Sequence, residues 1–171
     1  MALAMIGDDF VQLGRRMWVD IVHFAIDDTA SDDAVLSSLF ETPAFAHGYM
    51  GPLPAEPRPI TAESIHGKWH LRAITVDSYE PTTAAAAWAE LQRWANEPDW
   101  TDPGFRQPAD AMARLDTVHD LLERGDVYQL RNPDAEDEHE CGWVVGITGF
   151  HEFVVIDRQA GQLHLIVASD D

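Results

Sequence analysis

The chain has 171 residues, of which 30 are Asp or Glu and only 11 are Lys or Arg, giving a formal net charge of −19. With 46% hydrophobic residues there is enough apolar material for a core, which excludes wholesale disorder, and the length suits one ordinary domain spanning residues 1–171. No apolar run approaches the ~20 residues that a membrane span needs, and so acidic a surface repels nucleic acid and anionic lipid while favouring a basic partner.

Met1 to Ile6 lacks a basic segment and runs straight into Asp8 and Asp9, unlike a secretory signal. The one cysteine, Cys141, cannot form an internal disulfide and suits a reducing compartment. The expectation is a cytoplasmic protein. A single lysine, Lys68, beside abundant alanine suggests GC-rich coding and a bacterial source.

In chain order, Asp8 to Arg16 reads as a short helix with Phe10 and Leu13 on one side. Met17 to Ile26 is rich in β-branched and aromatic residues and reads as a strand, ended by Asp27 to Thr29. Ser31 or Asp32 then caps a helix carrying Val35, Leu36, Leu39 and Phe40 at helical spacing. Five of the ten prolines fall between Pro43 and Pro59, with Gly48 and Gly51, so this stretch is a long loop. Trp69 to Tyr79 reads as a second strand.

Thr82 or Thr83 caps the next helix, which runs through Trp88, Leu91 and Trp94 and stops at Asn96-Glu97-Pro98. Residues 98–107 form another loop, and Pro108 opens a helix with Met112, Leu115, Val118 and Leu122 on one stripe, stopped at Gly125. Val127 to Leu130, Trp143 to Asp157 and Leu163 to Ala168 are β-rich. Asp157 to Gly161 forms a hairpin turn between the last two. The expected fold is α+β: a mixed or antiparallel sheet with a C-terminal β-meander and helices packed on one face. The continuous apolar runs of the final hairpin, Phe153 to Ile156 and Leu165 to Val167, imply burial on both faces and a central position in the sheet.

Known catalytic motifs are missing: the chain has no Gly-rich phosphate loop, HExxH, nucleophile elbow or CxxC pair. The run from Asp134 to Glu140 resembles a calcium loop only at its first oxygens, with His139 where the turn glycine belongs, and reads as an extended, solvated acidic loop. Carboxylates beside Cys141 oppose a reactive thiolate. His66 and His70 want a third ligand, so neither a metal nor a cofactor is expected.

The best polar constellation pairs His151 and Asp157 on one strand with His164 on the returning one, Glu152 pointing to the other face. Trp69 and Trp100 are the aromatic candidates beside them. Two functions stay open. The leading one is a non-catalytic acidic interaction protein, inhibitor- or immunity-like, that binds a basic macromolecule. The alternative is a small-molecule binding domain or enzyme with a pocket between the sheet and the 43–59 and 98–107 loops, lined by Trp69, Trp100, His151, Asp157 and His164.

Overall fold

A computed structural model describes residues 3–27, 29–97 and 102–170. Its eight strands are β1 (Ala4–Gln12), β2 (Met17–Ala25), β3 (Ile65–His66), β4 (Trp69–His70), β5 (Tyr79–Thr82), β6 (Asp126–Leu130), β7 (His151–Asp157) and β8 (Gln162–Asp170). Three helices are α1 (Asp32–Phe40), α2 (Ala84–Asn96) and α3 (Ala109–Leu122). Six strands form one antiparallel sheet in the order β1-β2-β8-β7-β6-β5, and β3 and β4 form a separate two-residue hairpin.

The fold is α+β with an antiparallel sheet, as the composition of its segments implies. β8 lies between β2 and β7 and is buried along almost its whole length, as is β7. Strand side chains alternate between faces, and here both faces need cover. Val19, Ile21, Phe153, Val155, Ile166 and Ala168 pack against Leu91 and Trp94 of α2 and Leu115, Val118 and Leu122 of α3. Val22, Phe24, Val154, Ile156, Leu163, Leu165 and Val167 pack instead against Val35, Leu36 and Leu39 of α1 and the irregular segment that follows it. Helices on one face is therefore right for α2 and α3 and wrong for α1. A sheet whose central strands are apolar on both sides leaves the second face open unless another layer covers it.

Local chemistry explains most boundaries. Ser31 and Thr83 accept hydrogen bonds from the backbone N–H groups of Ala34 and Ala86, capping α1 and α2. In the β7–β8 turn Asp157 Oδ1 accepts from Ala160 N–H, and Gly161 takes φ 64°.

Three segments depart from expectation. Residues 8–16 are not a helix: they belong to β1 and its turn into β2, where Met17 N–H donates to Gly14 O and the central residues Arg15 and Arg16 both have positive φ. Such a turn normally carries Asn-Gly, and two arginines give no turn signal. Trp69 to Tyr79 is not a strand either, but the short β4 and two 3-10 turns ahead of β5. Trp143 to Phe150 is likewise irregular, and the strand starts only at His151.

The acidic loop is not extended. Residues 135–137 form a 3-10 turn, Glu138 bridges to Trp69 and pairs with Lys68, and His139 is buried. No helix among the described residues is long and apolar enough to cross a membrane.

Candidate functional site

The five residues singled out from sequence do not line one cavity. Trp100 lies outside the described residues. Trp69 is buried in the core on the α1 side, against Phe150. His151 sits on the other face, where its Nδ1 lies 2.6 Å from Glu90 Oε1 and its ring beside Trp94. Asp157 shapes its turn. His164, paired across the sheet with Val155, meets His23 of β2 rather than Asp157. The 43–59 loop faces the α1 side of the sheet. By contrast Gln107, at the end of the 98–107 loop, accepts from Gly14 N–H and donates to Ala95 O, locking the β1–β2 turn to α2.

The densest polar network is sealed. Glu152, on the face opposite His151, is buried with His66 and Tyr79. His66 Nδ1 donates to Phe45 O at 2.5 Å, so that nitrogen carries hydrogen. Its Nε2 lies 2.5 Å from Glu152 Oε2, and the Tyr79 hydroxyl donates to Oε1. One proton therefore lies between His66 and Glu152, and every strong donor in the triad has a partner. Burial, and then Glu152, raise the Tyr79 pKa well above its usual value. The network pins the 45–66 segment to the central strand β7 and has no opening for a substrate.

A second chain runs Asp9–His23–His164. Asp9 Oδ2 accepts from His23 Nε2 at 3.0 Å, and the two Nδ1 atoms are 2.7 Å apart, leaving His164 Nε2 buried without a hydrogen-bond partner among the described residues. Burial, with His23 and Arg124 nearby, lowers the His164 pKa to about 4, so its imidazole is neutral at pH 7. Among the described residues no group of three or more His, Cys, Asp or Glu is arranged to hold a metal ion.

Several surface cavities are open, among them one of about 690 Å³ that His164 borders and the groove beside β1 on its α1 side. Val11 is the only buried residue of this nine-residue edge strand. It exposes Met5, Ile6 (53%) and Phe10 (58%) alongside Asp8 and Asp9. Cross-strand register places Asp8, Phe10 and Gln12 on the same face as Trp18, Asp20 and Val22 of β2. Opposite them stands the turn from His47 to Leu53, which encloses a groove of about 580 Å³.

Phe10 stacks on Trp18 with centroids 6.2 Å apart, and Trp18 stacks on Tyr49 at 5.7 Å. Asp20 is half-buried in this groove. Burial first and Asp8 second raise its pKa to about 6, and among the described residues no basic side chain pairs with it. Tyr49 is backbone-strained at φ 56°, 6% exposed, and its hydroxyl has no hydrogen-bond partner among the described residues.

Sequence reasoning missed this site because it took residues 8–16 as helical. The run Asp8-Asp9-Phe10-Val11-Gln12 has no period-2 alternation that would mark it as a strand.

The fold and this face define an acidic α+β protein with an open, apolar-and-acidic edge strand. A scan against protein-family models finds no match, and neither do searches of curated proteins or of solved structures.

Proposed function

We propose that this is a non-catalytic acidic interaction protein that receives a basic, extended polypeptide along β1. The observation that supports it best is the contrast between the two sheet edges. β5 is four residues long, contains Pro81, and has Glu80 paired with Arg131, features that defend an edge against pairing. β1 is nine residues long, carries no proline, and exposes Met5, Ile6 and Phe10 beside Asp8 and Asp9.

An added strand would take its main-chain hydrogen bonds from the outer side of β1 and seat alternate side chains on the Phe10 and Ile6 faces. Asp8, Asp9 and Asp20 select cationic side chains there, and the net charge of −19 repels a second copy of the same chain. An inhibitor- or immunity-like role, covering a cationic surface of the partner, follows the same chemistry.

Calorimetric titration with a strand-forming peptide of alternating valine and lysine tests the reading. Affinity should fall steeply as salt rises from low to moderate concentration. The double substitution Ile6→Lys with Phe10→Lys should weaken it at least about tenfold. Salt-independent binding, or equal binding by the double variant, would remove the support for docking on β1.

A further inference from the structure

We propose that the groove between the β1–β2 face and the 47–53 turn is a binding site for one guanidinium group, stacked on Phe10 and paired with Asp20 and Asp8. The inference deepens the docking reading and rests on it for the peptide arm of the test alone. A free alkylguanidinium would occupy the groove whether or not a strand docks on β1.

Burying a carboxylate is unfavourable unless a partner compensates it. Asp20 is largely removed from water, Asp8 repels it from one diagonal away, and no basic side chain among the described residues answers either of them. Arg16 lines the same groove yet forms no ion pair with them. On the groove's other wall Tyr49 borders the cavity, with its hydroxyl buried and without a hydrogen-bond partner among the described residues. Glu152 and Asp20 both act electrostatically on that hydroxyl.

Three features then specify the cation. Two carboxylates accept a planar fork of N–H donors better than a point charge. Phe10, exposed and stacked on Trp18, offers a flat aromatic face, on which guanidinium lies more readily than a hydrated ammonium. A volume of about 580 Å³ takes the group and its alkyl chain.

The test is calorimetric titration of the full chain with butylguanidinium and with butylurea, its neutral counterpart of the same shape. Saturable binding of butylguanidinium is expected, with at least a tenfold preference over butylurea and at least a tenfold loss in Asp20→Asn. Tyr49→Phe, which removes a hydroxyl sealed from the groove, should bind within about twofold of the parent. Circular dichroism checks that both variants fold.

Affinity should also drop severalfold between pH 7.5 and 5 as Asp20 titrates. The groups facing it are Asp8 from β1, Arg16 from the hairpin turn, and His47 and Tyr49 from the 47–53 turn, and His47 is held neutral in this range by a pKa lowered to about 4. Equal binding of the urea, or wild-type affinity in Asp20→Asn, would overturn the proposal.

A third arm compares arginine-bearing with lysine-bearing strand peptides. An arginine preference identifies a partner's side chain as the source. Butylguanidinium binding with neither peptide bound supports the groove and contradicts only the docking reading. Equal docking of both peptides with no butylguanidinium binding contradicts only the groove.

Discussion

Asp20 illustrates how one side chain can carry both a cost and a use. Its pKa is raised to about 6, against 3.8 for an unburied carboxylate. Above that pH the folded state holds a charge the unfolded chain solvates better, so the group destabilises the fold. As pH falls through about 6, the folded state takes up the proton first and the penalty disappears. Asp20→Asn is therefore expected to stabilise the protein by about 1–3 kcal/mol at pH 7.5 in denaturant titration, allowing for its partial exposure. The gain should vanish near pH 4.

His47 and His164 act in the opposite sense. Each has a pKa lowered to about 4, chiefly by burial, and the stability they contribute above about 6.5 is lost as pH falls towards 4. In Asp20→Asn the offsetting gain is absent, so its acid destabilisation should be steeper than that of the parent. An Asp20→Asn variant less stable than the parent at pH 7.5 would show that Asp20 has a compensating partner.

Glu152 is the contrasting case of a buried carboxylate fully answered by its neighbours. Glu152→Ala would strand both His66 Nε2 and the Tyr79 hydroxyl in the core. It should cost roughly 3–5 kcal/mol in thermal or chemical unfolding.

At the scale of elements, the β7–β8 hairpin carries the largest share of two-faced burial. Val154, Ile156 and Leu165 face the α1 side while Val155 and Ile166 face α2 and α3. Ile156→Ala should destabilise by about 2–5 kcal/mol. Gly161→Val should also destabilise, because a β-branched residue resists the φ of 64° found there. An unchanged melting temperature in either variant would contradict this placement.

Gly125 shows a different use of glycine from the helix stop it suggests in the sequence. A Cβ there would lie 2.1 Å from the Ile156 carbonyl oxygen, so the residue permits a close backbone approach to β7.

These elements also show what local sequence conveys. Caps at Ser31 and Thr83, the Asp157–Gly161 turn and the unbroken apolar runs are short-range signals, and each of those elements forms as they indicate. β1 gave no such signal, because Arg15 and Arg16 occupy a turn that favours Asn-Gly and their strain is offset by tertiary contacts, among them Arg15 over the Phe105 ring at 4.7 Å. The candidate site was hidden for the same reason. Asp8 and Asp20 meet only once that hairpin registers, and Tyr49 reaches them from a proline-rich segment without periodicity. The His66–Glu152 contact spans 86 residues, beyond any pattern in the chain.

For the whole molecule, the charge of −19 sets the kind of partner, and the sheet sets where it can dock. One edge is short and defended. The other is long, exposes Ile6 and Phe10, and borders a groove whose half-buried carboxylate has no basic partner among the described residues. Hydrogen exchange of the full chain, with and without a saturating arginine–valine strand peptide, tests this most directly. The account predicts new protection at the β1 amides that do not bond to β2, with little change in β5, β6 or α3. Protection confined to another surface, or none at β1 while the peptide is bound, would contradict it.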